Sequence, residues 1–256
     1  MRRKSWLTER LLLWNSIETT KIRNGKNKEK TVNKNTLFLG FLLVILSFSY
    51  FYAGVTPNTA ETGTLSIYFM QEQVGYEEYS WEEDDLGFTL TVRGRMTKPI
   101  AIEIERLVIR LDKSFIPERY LFKGRVGGVA QDIQSFFSEG KAINTRQVAG
   151  QERTETVNIK RDAVLLPNPI FSPYMVLTKK FRCGLQETTE ISAYIIPQME
   201  VSATLEPKQG SPCLLVMQSG PRQIEIETDE EGTLIVLDMS FQNLRIMRTQ
   251  VDARIR

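Results

Sequence analysis

One uncharged apolar run, residues 36–55, constrains this 256-residue chain more than any other feature. Its centre consists of leucine, phenylalanine, valine and isoleucine, and its end is rich in aromatic residues, Tyr50 and Tyr52 among them. Twenty helical residues reach about 30 Å, which is the thickness of the hydrocarbon core of a bilayer. Tyrosines at the end of such a run are typical of a membrane interface. We therefore predict one transmembrane helix over residues 36–55.

The charge on either side of this segment predicts its orientation. Residues 1–35 carry ten basic and three acidic side chains, whereas the rest of the chain carries 23 basic and 28 acidic ones. Positive charge beside a first hydrophobic segment holds that end in the cytoplasm. We expect a basic cytoplasmic tail over residues 1–35 and a C-terminal domain in the periplasm or the extracellular space. No nucleic-acid-binding motif accompanies the basic residues, so we expect no nucleic-acid partner.

A cleaved signal peptide is the alternative interpretation of the same segment. The apolar run exceeds the roughly 7–15 residues of a signal-peptide core, and the basic region before it is long. Signal-peptide cleavage after Ala53 or Ala60 would require a small residue two positions earlier. Those positions are occupied by Phe51 and Asn58, and neither residue is small. The anchor is favoured, and whether the segment is cleaved stays open.

Beyond the anchor, apolar and polar residues alternate in the manner of β-strands. The clearest case is the stretch in which Phe88, Leu90 and Val92 alternate with Thr89 and Thr91. Such alternation indicates strands with one buried and one solvated face, as in antiparallel sheets. The predicted organisation is a linker over residues 56–63, a β domain over residues 64–250 and a C-terminal tail over residues 251–256.

Two local irregularities refine this prediction. The apolar positions Ile100 to Ile104 are even-numbered and those from Leu107 to Leu111 are odd-numbered, so we predict a β-bulge near Glu105. Later, Ser172 followed by proline indicates a helix start, and Gly184 indicates its end, so we predict one helix over residues 173–183.

Several of these features together resemble a known kind of envelope protein. They are the proline-ended run 164–167 before the helix, the strand ending at residues 195–198, the hairpin at 229–234 and the curved early strands. In combination they resemble uncharacterised bacterial envelope domains with a strongly curved antiparallel sheet around a helix. Those domains are similar to the half-barrel lipoprotein carriers, which hold acyl chains between sheet and helix. The resemblance spans residues 64–250 and implies a mainly β half-barrel, or β-clam, with one short helix, but assigns no ligand residue.

The chain contains no histidine, which excludes serine–histidine and cysteine–histidine catalysis and histidine metal sites. Ser114 begins a segment that loosely resembles the nucleophile box of serine–lysine signal peptidases, but the other boxes of that family are absent. We predict a protein that is not an enzyme and has no cofactor or metal. A carboxylate-rich stretch is expected to be a solvated strand face and turn; it comprises Glu77, Glu78, Glu82, Glu83, Asp84 and Asp85.

Cys183 and Cys213 are the two cysteines of the chain, and both lie beyond the predicted anchor. A disulfide between them is plausible in an oxidising compartment, and two buried thiols are the alternative. Aromatic and aliphatic residues of the β domain are candidates to line a cavity for an apolar ligand, with an ordinary packed core as the alternative. These candidates are Tyr79, Trp81, Phe88, Leu90, Tyr120, Phe122, Tyr174 and Phe181.

The function predicted from the sequence is that of a membrane-anchored protein that binds a lipid or another apolar ligand in a curved sheet. The alternative is a bitopic subunit of an envelope assembly, with a solid core and a protein partner in the envelope. A serine–lysine peptidase is the least favoured interpretation.

Overall fold

The structure is a computed structural model and describes residues 60–249. The predicted cytoplasmic tail, the predicted transmembrane segment and the predicted C-terminal tail 251–256 lie outside these residues. Within residues 60–249, no helix is both long enough and apolar enough to cross a membrane.

Fifteen strands and one short helix make up the described residues. The first eight strands are β1 (Glu61–Phe69), β2 (Glu72–Asp84), β3 (Gly87–Met96), β4 (Ile102–Asp112), β5 (Pro117–Val126), β6 (Val129–Ser138), β7 (Lys141–Val148) and β8 (Gln151–Asn158). They are followed by β9 (Val164–Leu165), α1 (Tyr174–Phe181), β10 (Thr189–Ile195), β11 (Met199–Lys208), β12 (Ser211–Ser219), β13 (Arg222–Thr228), β14 (Leu234–Met239) and β15 (Leu244–Thr249).

All fifteen strands belong to one large, open, curved sheet, which confirms the mainly β prediction. The order runs from β8 down to β1, then to β15, and from β15 down to β9. Every neighbouring pair is antiparallel except β9 and β10, which run parallel. Strand β1 begins at Glu61, so residues 61–63 of the predicted linker belong to the sheet.

The predicted β-bulge is present at Glu105. Ile104 lies opposite Gly124 on β5, and Arg106 lies opposite Lys123, so Glu105 is the inserted residue. Gly124 is required there, because a Cβ atom would lie 2.0 Å from the carbonyl oxygen of Glu103. The bulge bends β4 and keeps both of its halves facing the same core.

Curvature brings distant strands into contact. The Tyr194 side chain on β10 accepts a hydrogen bond from the Asn144 side chain on β7, with Nδ2 and the hydroxyl oxygen 2.7 Å apart. The Asn144 amide oxygen in turn accepts from Ser135 on β6 at 2.7 Å. The Phe137 ring packs edge-on against Tyr194. This buried polar chain fixes how far the sheet curves, because each of its members needs the next for a hydrogen bond.

Helix α1 is enclosed by the sheet, and six of its eight residues are buried. The predicted helix is confirmed, although it begins at Tyr174 and ends at Phe181, where a 3₁₀ turn follows. The predicted capping role of Ser172 is wrong. Pro173 occupies the capping position, and the Ser172 hydroxyl donates to the carboxylate of Glu77 instead. Both the backbone N–H and the hydroxyl of Ser172 donate to Glu77, and no side chain caps the first turn of the helix.

Candidate functional site

An apolar cleft of about 300 Å³ opens between strands β10–β14 and the segment that leads into α1. Its floor is one face of the sheet, on which Ala193 pairs with Val201 and Met217 pairs with Ile224 across neighbouring strands. The volume lies at the lower end of the range of about 300–1,000 Å³ that is usual for small-molecule sites. The residues of the floor are Ala193, Val201, Ala203, Met217, Ile224 and Met239.

The roof of the cleft is the proline-ended run and the start of the helix. Its residues are Leu166, Pro167, Ile170, Phe171 and Tyr174. Opposite this roof, the floor presents the short side chains of Ala193 and Ala203, which leave the space that larger residues would fill. Flexible methionines at Met217 and Met239 allow the floor to adapt to an irregular apolar guest.

The mouth of the cleft is polar at its edge and lies at one end of the sheet. It is formed by Gln198, Met199, Ser219, Arg222, Phe241 and Gln242. Within the described residues, Arg222 is the one charged side chain that lines the cleft. An apolar interior with a single cation at its opening suits a molecule with an apolar chain and an anionic or strongly hydrogen-bonding head.

The roof is fixed by Glu77, a buried carboxylate on β2 that is 1% exposed. Its oxygens accept hydrogen bonds from the backbone N–H of Phe171 at 2.9 Å and of Ser172 at 2.6 Å, and from the Ser172 hydroxyl at 2.5 Å. Sequence analysis expected Glu77 to be solvated, and this expectation is wrong. Glu77 has the same parity as Tyr79 and Trp81, so its side chain points inward with theirs.

Burial dominates the electrostatics of this carboxyl group. Desolvation raises the pKa of Glu77 above its ordinary value, while the donors from Ser172 and Phe171 partly offset the rise. Burial also raises the pKa of the Tyr174 hydroxyl in the roof, so this group is neutral at physiological pH. Burial therefore shifts both the Glu77 carboxyl and the Tyr174 hydroxyl towards their neutral forms.

A second pocket, of about 380 Å³, lies at the opposite end of the sheet. Trp81, Phe88 and Phe115 form a stacked aromatic group there, with the centroids of Phe88 and Phe115 4.5 Å apart. The buried Lys179 ammonium borders it and donates to the Glu61 carboxylate at 2.6 Å and to the Thr233 hydroxyl at 2.9 Å. Ion pairs and charged side chains make this pocket much more polar than the cleft.

The structure does not bring the eight cavity candidates together. Tyr174 lines the apolar cleft, whereas Trp81 and Phe88 line the charged pocket at the other end. Tyr79 is buried beneath Gly63, and Phe181 packs against the core from a partly exposed position. The remaining three candidates are buried core residues that line neither pocket: Leu90, Tyr120 and Phe122.

The structure joins Cys183 and Cys213 in a disulfide that spans 30 residues of chain. It ties the 3₁₀ turn after α1 to β12, at the end of the helix remote from the cleft. Ser114 lies exposed in the turn between β4 and β5, and its backbone N–H donates to Asp112. The neighbouring Lys113 ammonium is paired with the Glu83 carboxylate at 3.0 Å.

The residues predicted from the sequence to line a cavity are mostly aromatic, whereas most residues that line the cleft are not. The floor is built from alanines, valine, isoleucine and methionines, which share one parity on each strand, as Met199, Val201 and Ala203 do on β11. That parity is visible in the sequence. The pairing of these strands with a roof from residues 166–174 is not.

Comparison with known proteins assigns the chain to no family. No family model matches the chain. No curated protein sequence matches it either. A distant structural neighbour is a crystal structure of a DUF1089 family protein from Pseudomonas aeruginosa, which is 12% identical in sequence with a TM-score of 0.39. That match covers 72% of this chain and 92% of the neighbour.

Proposed function

We propose that this chain is a membrane-anchored, extracytoplasmic protein that binds the apolar chain of a lipid in the cleft between β10–β14 and the roof segment. It acts by holding its ligand and carries out no reaction on it. The observation that carries the proposal is the cleft itself, which is mainly apolar and has one cation, Arg222, at its mouth.

The geometry of the cleft supports this function over an ordinary packed core. Ala193 and Ala203 lie opposite a roof held by Glu77, so the roof cannot settle onto the short side chains without losing buried hydrogen bonds. Losing one such bond costs about 1–3 kcal/mol when a buried donor is left without a partner. The space beneath the roof is therefore maintained, and burying an apolar chain there is favourable by about 25 cal/mol per Å².

One further observation agrees with the proposed location. The disulfide between Cys183 and Cys213 fits an oxidising compartment outside the cytoplasm.

The test is binding of a dansyl-labelled fatty acid to the full chain in a detergent that does not compete for the probe. Saturable fluorescence enhancement is expected, together with a lipid that extracts from the purified protein into organic solvent. The Ala203→Phe variant fills the cleft and should abolish binding. The matched control is Ala130→Phe, because Ala130 is an exposed alanine on β6.

Loss of binding in the Ala203→Phe variant alone, with an unchanged unfolding midpoint, supports the cleft as the site. Equal binding by both variants, or no binding by the unsubstituted protein, overturns the proposal. The Arg222→Gln variant tests where the head of the ligand binds. If this variant binds the dansyl fatty acid more weakly but binds an uncharged dansyl alcohol unchanged, the carboxylate of the fatty acid lies at Arg222.

A second candidate function is that of an interaction subunit of an envelope assembly. It is favoured by β8, an eight-residue strand that ends the sheet and pairs only with β7 among the described residues. An open strand edge is a template for pairing with another chain. Capture of a stoichiometric envelope protein by crosslinking at β8, together with no bound lipid, would favour this function.

A further inference from the structure

The turns at the two ends of the sheet differ in charge. Seven turns lie at the end that carries the mouth of the cleft: residues 70–71, 97–101, 127–128, 149–150, 196–198, 220–221 and 240–243. Together these seven turns contain a single charged residue, Lys98. The five hairpin turns at the opposite end contain six charged residues: Asp85, Lys113, Glu139, Asp229, Glu230 and Glu231.

The weakly charged end also carries exposed apolar side chains. Met70, Ile100 and Phe241 lie in its turns, and Val129 and Met199 begin the strands that follow two other turns. Met70 is 66% exposed and Met199 is 55% exposed. Among the described residues, the large hydrophobic residue exposed in a turn at the opposite end is Leu86.

Met70 is unusual for its position. It is the first residue of a two-residue turn and has a φ of 51°, and Gln71 has a φ of 69°. Turns of this kind favour asparagine, aspartate and glycine. The left-handed backbone does not favour methionine at this position, and a large apolar side chain gains nothing from contact with water.

From these observations we propose that the cleft end of the sheet docks on the surface of a lipid bilayer, with its apolar turn residues entering the interfacial region. The proposal rests on the proposed function, because Met199 and Phe241 belong both to this surface and to the mouth of the cleft. Docking lets an apolar chain pass between bilayer and cleft without exposing its methylene groups to water.

The chemistry of the surface favours a bilayer over a protein partner. Met70 and Ile100 stand on separate turns, whereas the centre of a protein interface is a contiguous packed patch. These turns contain no acidic residue that phosphate headgroups would repel. Glu72, which follows the first of them, is paired with Lys98 at 2.9 Å. Apolar residues that enter the boundary between headgroups and acyl chains are typical of interfacial binding.

The test uses the full chain, reconstituted in phosphatidylcholine vesicles, with an environment-sensitive fluorophore attached at Met70→Cys. The control carries the same label at Leu86→Cys, an exposed turn residue at the opposite end. Spin-labelled phosphatidylcholine is placed either in the host vesicles or in a second, protein-free population. We expect severalfold stronger quenching at position 70 than at position 86 in one of these two arrangements. Equal quenching at the two positions in both arrangements overturns the proposal.

A charge substitution separates docking from ligand binding. Met70 and Ile100 do not line the cleft, so a Met70→Asp, Ile100→Asp variant should bind monomeric dansyl fatty acid as the unsubstituted protein does. It should extract the same probe from vesicles severalfold more slowly, while Leu86→Asp should not. An unchanged extraction rate in the first variant overturns docking and leaves the cleft intact. Absence of probe binding in the unsubstituted protein, with strong quenching at position 70, overturns the cleft and leaves docking supported.

Discussion

Helix α1 is held by different chemistry at its two ends. Its beginning is fixed by Glu77, a buried acid that has no ion-pair partner among residues 60–249 and that accepts hydrogen bonds from Phe171 and Ser172. Its end is fixed by Lys179, which donates to the Glu61 carboxylate and the Thr233 hydroxyl, and by the disulfide that follows it. The end beside the cleft therefore depends on one side chain, whereas the remote end is fixed by an ion pair and a covalent bond. We therefore expect a single substitution to loosen the start of the helix more readily than its end.

The largest expected effect is loss of the covalent bond. A Cys183→Ser, Cys213→Ser variant should lose about 3–4 kcal/mol of unfolding free energy, because a disulfide that closes 30 residues restricts the unfolded chain. Urea unfolding of the full chain, followed by tryptophan fluorescence, measures the loss. Probe binding should survive, since the disulfide lies remote from the cleft. Loss of binding in a folded variant would show that the two ends of the helix are coupled.

The next largest effect is expected at Glu77. Glu77→Ala leaves two buried backbone N–H groups without acceptors and should cost about 3 kcal/mol. It should also weaken binding of the dansyl fatty acid, because Phe171 is part of the roof. Glu78→Ala, at the adjacent exposed position, is the control. If Glu77→Ala lowers the unfolding free energy no more than Glu78→Ala does, then Glu77 does not fix the start of the helix.

Lys179 provides the matching test at the remote end. Lys179→Met leaves the partly buried Glu61 carboxylate without its cation and should cost about 2 kcal/mol, with probe binding unchanged. Lys98→Met breaks an exposed pair with Glu72 and should cost about 0.5 kcal/mol or less. Equal losses for the two lysine variants, measured by urea unfolding, would contradict the buried role of Lys179.

The smallest expected effect is a pH dependence. The folded-state pKa of Glu77 is raised, so the stabilisation linked to its protonation is fully present below its unfolded pKa of about 4.5. It is lost as the pH rises through the folded pKa. The difference in unfolding free energy between the unsubstituted protein and Glu77→Gln should therefore decrease from pH 4 upward. A difference that grows with pH would mean that the hydrogen-bond donors outweigh burial and lower the pKa.

Most of the sheet could be predicted from alternation alone. The stretch from Phe88 to Val92 lies in a strand as predicted, and the change of parity around Glu105 correctly located a bulge. These features depend on neighbours along the chain, so a single sequence contains the information. The turn at Gly232 is also predictable from the local sequence, because its φ of 80° favours glycine.

The cleft could not be predicted in the same way, since it depends on which distant segments meet. Its roof and floor are joined through the parallel pairing of β9 with β10, and β9 has only two residues, Val164 and Leu165. The inward direction of the Glu77 side chain could have been predicted from the sequence, because residues 77 and 79 lie on the same face of a strand. Its partners, Phe171 and Ser172, are more than ninety residues away and carry no matching pattern.

Among the described residues, the first and last strands in chain order, β1 and β15, are neighbours in the middle of the sheet. Strand β15 pairs with β1 from Leu244 to Thr249, and the hydroxyls of Ser66 and Thr249 lie 2.8 Å apart. During synthesis, the middle of the sheet therefore stays incomplete until residue 249 has left the ribosome. A chain that stops before Leu244 would lack a central strand and expose the strand edges of β1 and β14. Premature termination should therefore yield a species prone to aggregation, not a slightly shortened sheet.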